Sequence, residues 1–158
     1  LPNLEGVAKV VVDEHIVEYE IGGMTLSAEA RQAVSGHKGF VADLGVKWSG
    51  RVSLFGPPVI WSAGPRVRLV SDDFNDAYFG VNSNESIASG LPVYNAEGGV
   101  HSYGVGVTAI MPISNAWTAV IFAGYDKLTG DAGDSPLVQL RGSEDQATLG
   151  VFLSYTLF

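Results

Sequence analysis

Three histidines occur in 158 residues, and two of them, His37 and His101, fall near groups that hydrolytic chemistry uses: Ser35, Asp43 and Ser102. A serine nucleophile needs a base within hydrogen-bond reach and an acid that orients the base. No nucleophile motif surrounds either serine, and nothing in the spacing fixes their distances. Both histidines therefore read as polar rim residues in turns. The stretch GDAGDS, residues 130–135, offers Asp131 and Asp134 as oxygen ligands for a hard cation. It lacks the spaced carboxylates and distal glutamate of a calcium loop, and turn chemistry accounts for it. Asn84-Glu85-Ser86 has the form of a glycosylation sequon and reads as loop composition. No residue is assigned a catalytic, cofactor-binding or metal-ligating role, and the chain is expected not to be an enzyme. A hydrolase built on His37 or His101 is carried only as a third reading.

The elements that would have to position such residues are strands. Net charge is −8 with a pI near 4.6, which disfavours nucleic acid as a partner. There is no cysteine, hence neither a disulfide framework nor a thiolate metal site. Mean hydropathy is +0.20 with 16% charged residues, yet no apolar run approaches the roughly 18–20 residues of a spanning helix. Twenty glycines and few helix-period patterns point to many short strands. Length allows one domain over 1–158. The chain opens on Leu1 without a charged or apolar leader-like segment, and an upstream segment is expected in the native protein.

Period-two alternation marks seven strands of about ten residues. Met24, Leu26, Ala28 and Ala30 oppose Thr25, Ser27, Glu29 and Arg31; Phe40, Ala42, Leu44, Val46 and Trp48 oppose Val41, Asp43, Gly45, Lys47 and Ser49. The same holds near Val59–Leu69, where Pro65 should break the ladder locally, and through 102–111, 117–126 and 147–158. The first strand, about Val7 to Ile21, alternates only at its end, which a β-bulge would explain. Each strand has one apolar face and the roughly 9–11 residues needed to cross a bilayer at a tilt. Tyr19, Trp48, Trp61, Tyr103, Trp117, Tyr125 and Tyr155 sit near strand ends, where interfacial girdles belong.

Alternation alone leaves open which face is inside, and a soluble barrel with the apolar set inward fits equally well. Loop lengths favour the membrane. In chain order the connections read short at Gly22-Gly23, medium at 35–39, short at 50–58, long at 71–99, short at 112–116 and long at 127–145. Short turns at one end and long loops at the other are the pattern of outer-membrane barrels, with the turns in the periplasm.

Three ordered stretches, EARQAVSGHKGFVADLGVKW at 29–48, DAYFGVNSNESIASGLPVY at 76–94 and AGYDKLTGDAGDSPLV at 123–138, resemble the MltA-interacting protein (MipA/OmpV) family of Gram-negative outer-membrane proteins. The resemblance extends over most of the chain. It implies an all-β, antiparallel up-and-down transmembrane β-barrel in the bacterial outer membrane, in contact with lipid and lipopolysaccharide. It also implies a scaffold that brings a murein lytic transglycosylase and a peptidoglycan synthase together, or alternatively a porin-like small-solute channel. The terminal strand ending on Phe158 resembles the signal read by the outer-membrane assembly machinery, although Thr156 stands where that signal carries an apolar residue. Members usually have a further N-terminal region.

Three expectations follow. Glu29, Arg31, Asp43, Lys47, Arg66 and Arg68 mix signs on neighbouring strands, and cross-strand pairing would plug the lumen, whereas unpaired rows of one sign would line a pore. The loop 71–99 holds Asp72, Asp73, Asp76, Glu85 and Glu97 and no Lys or Arg. Its Tyr78, Phe79, Leu91 and Tyr94 favour an inward-folded, partly ordered lid. Finally, seven strands descending to Phe158 would start near Leu4 on the extracellular side, so strands preceding Leu1 are expected to complete the barrel.

Overall fold

The computed structural model describes residues 9–13, 16–32, 38–53 and 56–156, the first segment as backbone only. One antiparallel sheet holds eight strands in chain order: β1 (Lys9–Asp13), β2 (Ile16–Ile21), β3 (Met24–Gln32), β4 (Phe40–Val52), β5 (Val59–Val70), β6 (Gly99–Pro112), β7 (Trp117–Leu128) and β8 (Asp145–Tyr155). Helices α1 (Asp72–Phe79) and α2 (Ser83–Ser89) follow β5, while α3 (Gly130–Asp134) and α4 (Pro136–Arg141) follow β7. This is the all-β, up-and-down sheet of an outer-membrane barrel, open between its edge strands β1 and β8. Ser35, His37, Phe158 and the Leu4 region lie outside the described residues.

The segment from Val7 to Ile21 is not one bulged strand. Residues 9–13 and 16–21 are two antiparallel strands paired with each other, Lys9 opposite Glu20 and Asp13 opposite Ile16. A run of three valines at 10–12 hides the period, and the sequence between the two strands offers no glycine as a hairpin signal. This adds a strand to the expected seven and corrects the parity argument. The outer ends of β1 and β8 lie together at the end of the sheet where the short turns are, so strand count no longer places the start of β1 on the extracellular side.

Exposure decides which face is inside. Apolar residues of the alternating set look outward: Val17 is 47% exposed, Leu44 44%, Val105 55% and Leu153 63%. Polar residues from β2 through β8 line one shared cavity, so the sheet curls around its polar face. An apolar exterior around a polar interior is the inverse of a soluble barrel and fits hydrocarbon outside. On β6 the outward set runs from Tyr103 to Met111, eight residue steps or about 27 Å, close to the roughly 25 Å apolar band of such barrels. Tyr103 and Tyr125 stand at its long-loop margin, and Trp61, Trp117 and Tyr155 at the other.

Two irregularities shape the inner wall. Pro65 has no N–H to donate, and the β4–β5 ladder stops between the Gly45–Arg66 and Trp48–Ala63 pairs. The chains crowd there, and a Cβ on Gly64 would lie 1.8 Å from the Val46 carbonyl oxygen, so no side chain fits. The register of β5 against β6 shifts between Arg68 and Leu69, which re-aims His101.

The buried apolar residues gather at the long-loop end. Val70, Val81, Leu91, Leu128, Ala132 and Val138 are all under 8% exposed. Leu128, Ala132 and Val138 form a cluster against which Phe79 packs. The loop expected as a partly ordered lid is helical at 72–79 and 83–89, and Leu91 and Phe79 turn inward as anticipated. Tyr78 differs, being 56% exposed.

Candidate functional site

The polar face presents its side chains in rows that cross the sheet. One row reads Glu18, Ser27, Gly45, Arg66, Gly104, Asp126 and Gln146 from β2 to β8. The neighbouring row, nearer the helices, reads Glu29, Asp43, Arg68 and Ser102 from β3 to β6. Because strands fix these positions about 4.8 Å apart, charges on adjacent strands meet directly.

The expected cross-strand pairing is present. Asp43 takes Arg68 through Nε at 2.7 Å and Nη2 at 3.2 Å, and takes Arg31 on the same carboxylate; Arg31 Nε also lies 3.2 Å from Glu29. The result is an alternating chain, Glu29, Arg31, Asp43, Arg68, in which both Asp43 oxygens meet guanidinium donors. Lys47 stands outside it, with no carboxylate in ion-pair range among the described residues.

Arg66 makes a pairing that alternation could not reveal. It skips a strand: Nε donates to Asp126 Oδ1 at 2.7 Å and Nη2 donates to Asp126 Oδ2, although β6 lies between. Glycines make this possible. A Cβ on Gly104 would sit 2.2 Å from Asp126 Oδ1, and one on Gly124 would sit 3.1 Å from Arg66 Nη2. The belt thus reaches from β3 to β7 and borders a 500 Å³ cavity under the helices.

The four helices close the long-loop end. His101 is buried, not a rim residue in a turn as its position suggested, and packs edge-on against Phe74 and Phe79. The amide nitrogen of Asn75 donates to the Glu97 carbonyl at 2.6 Å, which turns its oxygen toward the His101 ring; Nδ1, 3.1 Å away, is the donor. Among the described residues no serine or carboxylate is hydrogen-bonded to that ring, so His101, Asp43 and Ser102 do not form a triad.

Carboxylates of the acidic loop are used internally. Asp72 accepts from Gly98 N at 2.6 Å, Asp76 from Ala96 N at 3.3 Å, and Glu85 from Asn82 N at 2.8 Å in a capping box with Asn82. Asp131 accepts from Glu97 N at 2.8 Å, and its carbonyl takes the Tyr94 hydroxyl at 3.0 Å. Residues 130–134 are a short helix in place of the expected turn, and no group of three or more metal-binding side chains forms among the described residues. Burial, reinforced by Asp131, Asp134 and Glu97, pushes the Tyr94 phenol up. Buried Ser135 donates to the Phe79 carbonyl at 2.6 Å, and Arg141 to that of Ser89 at 2.5 Å, stitching the two long loops together.

Sequence reasoning missed Asp126, Asn75 and Ser135 as partners. Asp126 was legible as a member of the polar face; its partner was not, because the skip depends on which neighbours lack side chains.

The family described as "MltA-interacting protein MipA" matches residues 4–157. Among individual proteins, the chain is 34% identical over 85 residues to the outer membrane protein OmpV of Vibrio cholerae, covering 54% of this chain and 31% of that protein. Omp26La of Vibrio anguillarum, also described as an outer membrane protein, matches at 34% over 85 residues, again 54% and 31%. The putative outer membrane protein YiaT of Escherichia coli K12 is 30% identical over 128 residues, 79% of this chain and 49% of its own length. The matches thus span from about a third to about half of these relatives. No solved structure matches the chain.

Proposed function

The chain belongs to the MipA family and is an outer-membrane protein, and from that membership and its lumen we propose that it is a non-catalytic scaffold for envelope enzymes. The observation that carries this reading is the obstructed interior. The arginine–carboxylate belt crosses the lumen face from β3 to β7, and four helices cover its outer end. Interior charges that satisfy one another form a plug, whereas a conducting pore keeps its charges for the solute. A plugged barrel offers partners its rims, and the rim with short turns faces the periplasm, where murein enzymes work. The family name supports a lytic transglycosylase as one partner; a peptidoglycan synthase is the second that this reading adds. Lipid and lipopolysaccharide cover the apolar wall.

The test is co-purification of the full-length protein from solubilised envelope, probed for lytic transglycosylases and peptidoglycan synthases. Recovery of both is expected. Failure to recover either, together with reproducible stepwise conductance in planar bilayers, would replace the scaffold by a channel. The same reading includes further polypeptide covering the edges of β1 and β8, since an unpaired strand edge in hydrocarbon costs several kcal/mol per orphaned group. Efficient disulfide formation between single cysteines placed on β1 and β8 of the native protein would show that these strands close on each other instead.

A further inference from the structure

Toward the short turns the lumen face changes character. A second cavity, of 310 Å³, is lined there by Ser27, Lys47, Ser62, Arg66, Thr108 and Thr148 among its polar residues. Four hydroxyls and two cations face it, and no carboxylate does. The cavity beneath the helices is the reverse, with Glu18, Glu29, Asp43 and Asp126 against three arginines.

The trough has a bare floor and a fixed donor. Gly64, Gly106 and Gly124 lie side by side on β5, β6 and β7, so the backbone itself forms the surface. Asp126 holds Arg66 through Nε and Nη2, leaving Nη1 over this floor, 3.6 Å from where a Cβ on Gly106 would be. The bidentate pair immobilises the guanidinium, so another acceptor at Nη1 meets a preorganised donor. Lys47, exposed and without an ion-pair partner among the described residues, supplies a second positive charge. Phe122, stacked on Phe152 with centroids 5.6 Å apart, gives the trough one apolar wall.

We propose that this trough binds a small oxyanion, a carboxylate or a phosphate monoester, entering from the short-turn side. Lys47 and Arg66 Nη1 meet the charge, and the hydroxyls of Ser27, Ser62, Thr108 and Thr148 complete its shell. The carbon skeleton of the ligand lies toward Phe122. The trough's own lining carries two cations and no acid, while Asp126 holds Arg66 from the helix side and Glu18 and Glu20 line the adjoining cavity with Lys47, so Lys47 supplies most of the charge selection. Hydroxyls can donate to any oxyanion geometry, so the site discriminates by charge and size more than by identity.

The experiment is calorimetric titration of the full-length protein in detergent micelles at fixed ionic strength, with sodium succinate in one arm and glycerol 3-phosphate in the other. Saturable binding of at least one is expected, and the arm that binds names the source of the oxyanion. Lys47→Gln and Arg66→Gln should each weaken it at least tenfold, while Lys127→Gln, on the outer face, should leave it within twofold. Lys47 supports no partner, so its replacement keeps the sheet intact; Thr108→Ala, expected to weaken binding about threefold, reads the same site without touching charge. No saturable binding in either arm, or binding that Lys47→Gln leaves unchanged, or equal loss in Lys127→Gln, overturns the proposal.

Discussion

The lumen wall and the helical cap use the same side chain for opposite purposes. In the wall, Asp43 and Asp126 meet guanidiniums delivered by other strands. In the cap, Asp72, Asp76, Glu85 and Asp131 meet backbone N–H groups within or between the two long loops. The difference follows from what each backbone leaves unsatisfied. A strand ladder uses its own amides, so the only polar groups seeking partners on the wall are side chains. Irregular loops and short helices leave amides orphaned, and a carboxylate is the shortest acceptor that can reach them. An acidic loop beside anionic lipid is therefore not simply a repulsive surface, since three of its five carboxylates, Asp72, Asp76 and Glu85, are committed to backbone N–H groups.

If wall and cap are separate structures in this sense, they should break separately. The largest effect is expected at Gly64. A Cβ there would meet the Val46 carbonyl at 1.8 Å, a clash between two backbones that no rotamer relieves. Gly64→Val should cost more than about 3 kcal/mol, enough to stop barrel assembly. A heat-modifiable band of normal mobility and a wild-type urea midpoint for this variant would contradict the crowding at Pro65.

Next comes the cap. Asn75 is 2% exposed and joins the Glu97 carbonyl to His101. Asn75→Ala leaves both without a partner, a penalty of about 1–3 kcal/mol by the usual cost of an unsatisfied buried group. The loss should be local, so proteolysis within 71–98 accelerates while the sheet keeps its unfolding midpoint. Equal loss in both would mean that cap and wall are one cooperative unit.

How far each region was legible follows the same division. The wall was readable because period two is long-lived in sequence: Leu44 against Asp43, or Val105 against Gly104, states its face without knowing its neighbours. Loop lengths gave the polarity of the barrel. What failed in the wall was local: Val10 to Val12 erased the period and hid the pairing of β1 with β2. The cap was legible only as a lid with an apolar underside. Its helices run five to eight residues, too short for a helical period to show. The capping box from Asn82 to Glu85 was a readable signal within what looked like loop composition. His101 misled because its sequence neighbours are polar, while its spatial neighbours, Phe74 and Phe79, belong to another element.

A smaller effect is expected at the strand-skipping pair. Arg66 is 52% exposed on its side chain and Asp126 20%, so solvent screens their attraction. Asp126→Asn should cost about 1 kcal/mol or less in stability, yet release Arg66 from its floor. A double-mutant cycle with Arg66→Gln checks the coupling. A coupling energy of zero would mean that the glycines at 104 and 124 accommodate something other than this bridge.

The smallest effect is a pH dependence at the hinge between the two regions. Glu144 sits just before β8, where Gln139 Nε2 donates to its Oε1 at 2.6 Å and Lys127 Nζ lies 3.2 Å from its Oε2. Both contacts favour the carboxylate, the Gln139 hydrogen bond foremost, and hold its pKa below the ordinary glutamate value. A carboxyl group with a lower pKa in the folded state stabilises that state above its unfolded pKa, and the contribution fades as pH falls through the folded one. Acidification should therefore loosen the α3–α4 loop where it is tied to the top of β7, and do so only below the normal glutamate range. Amide exchange over 130–144 measures this: protection, corrected for the intrinsic pH dependence of exchange, should be level near neutrality and drop in acid, while β6 and β7 keep theirs. Glu144→Gln should remove the acid step. A step that survives in that variant would assign the hinge to another group and leave the latch between Lys127 and Glu144 without a role in holding cap to wall.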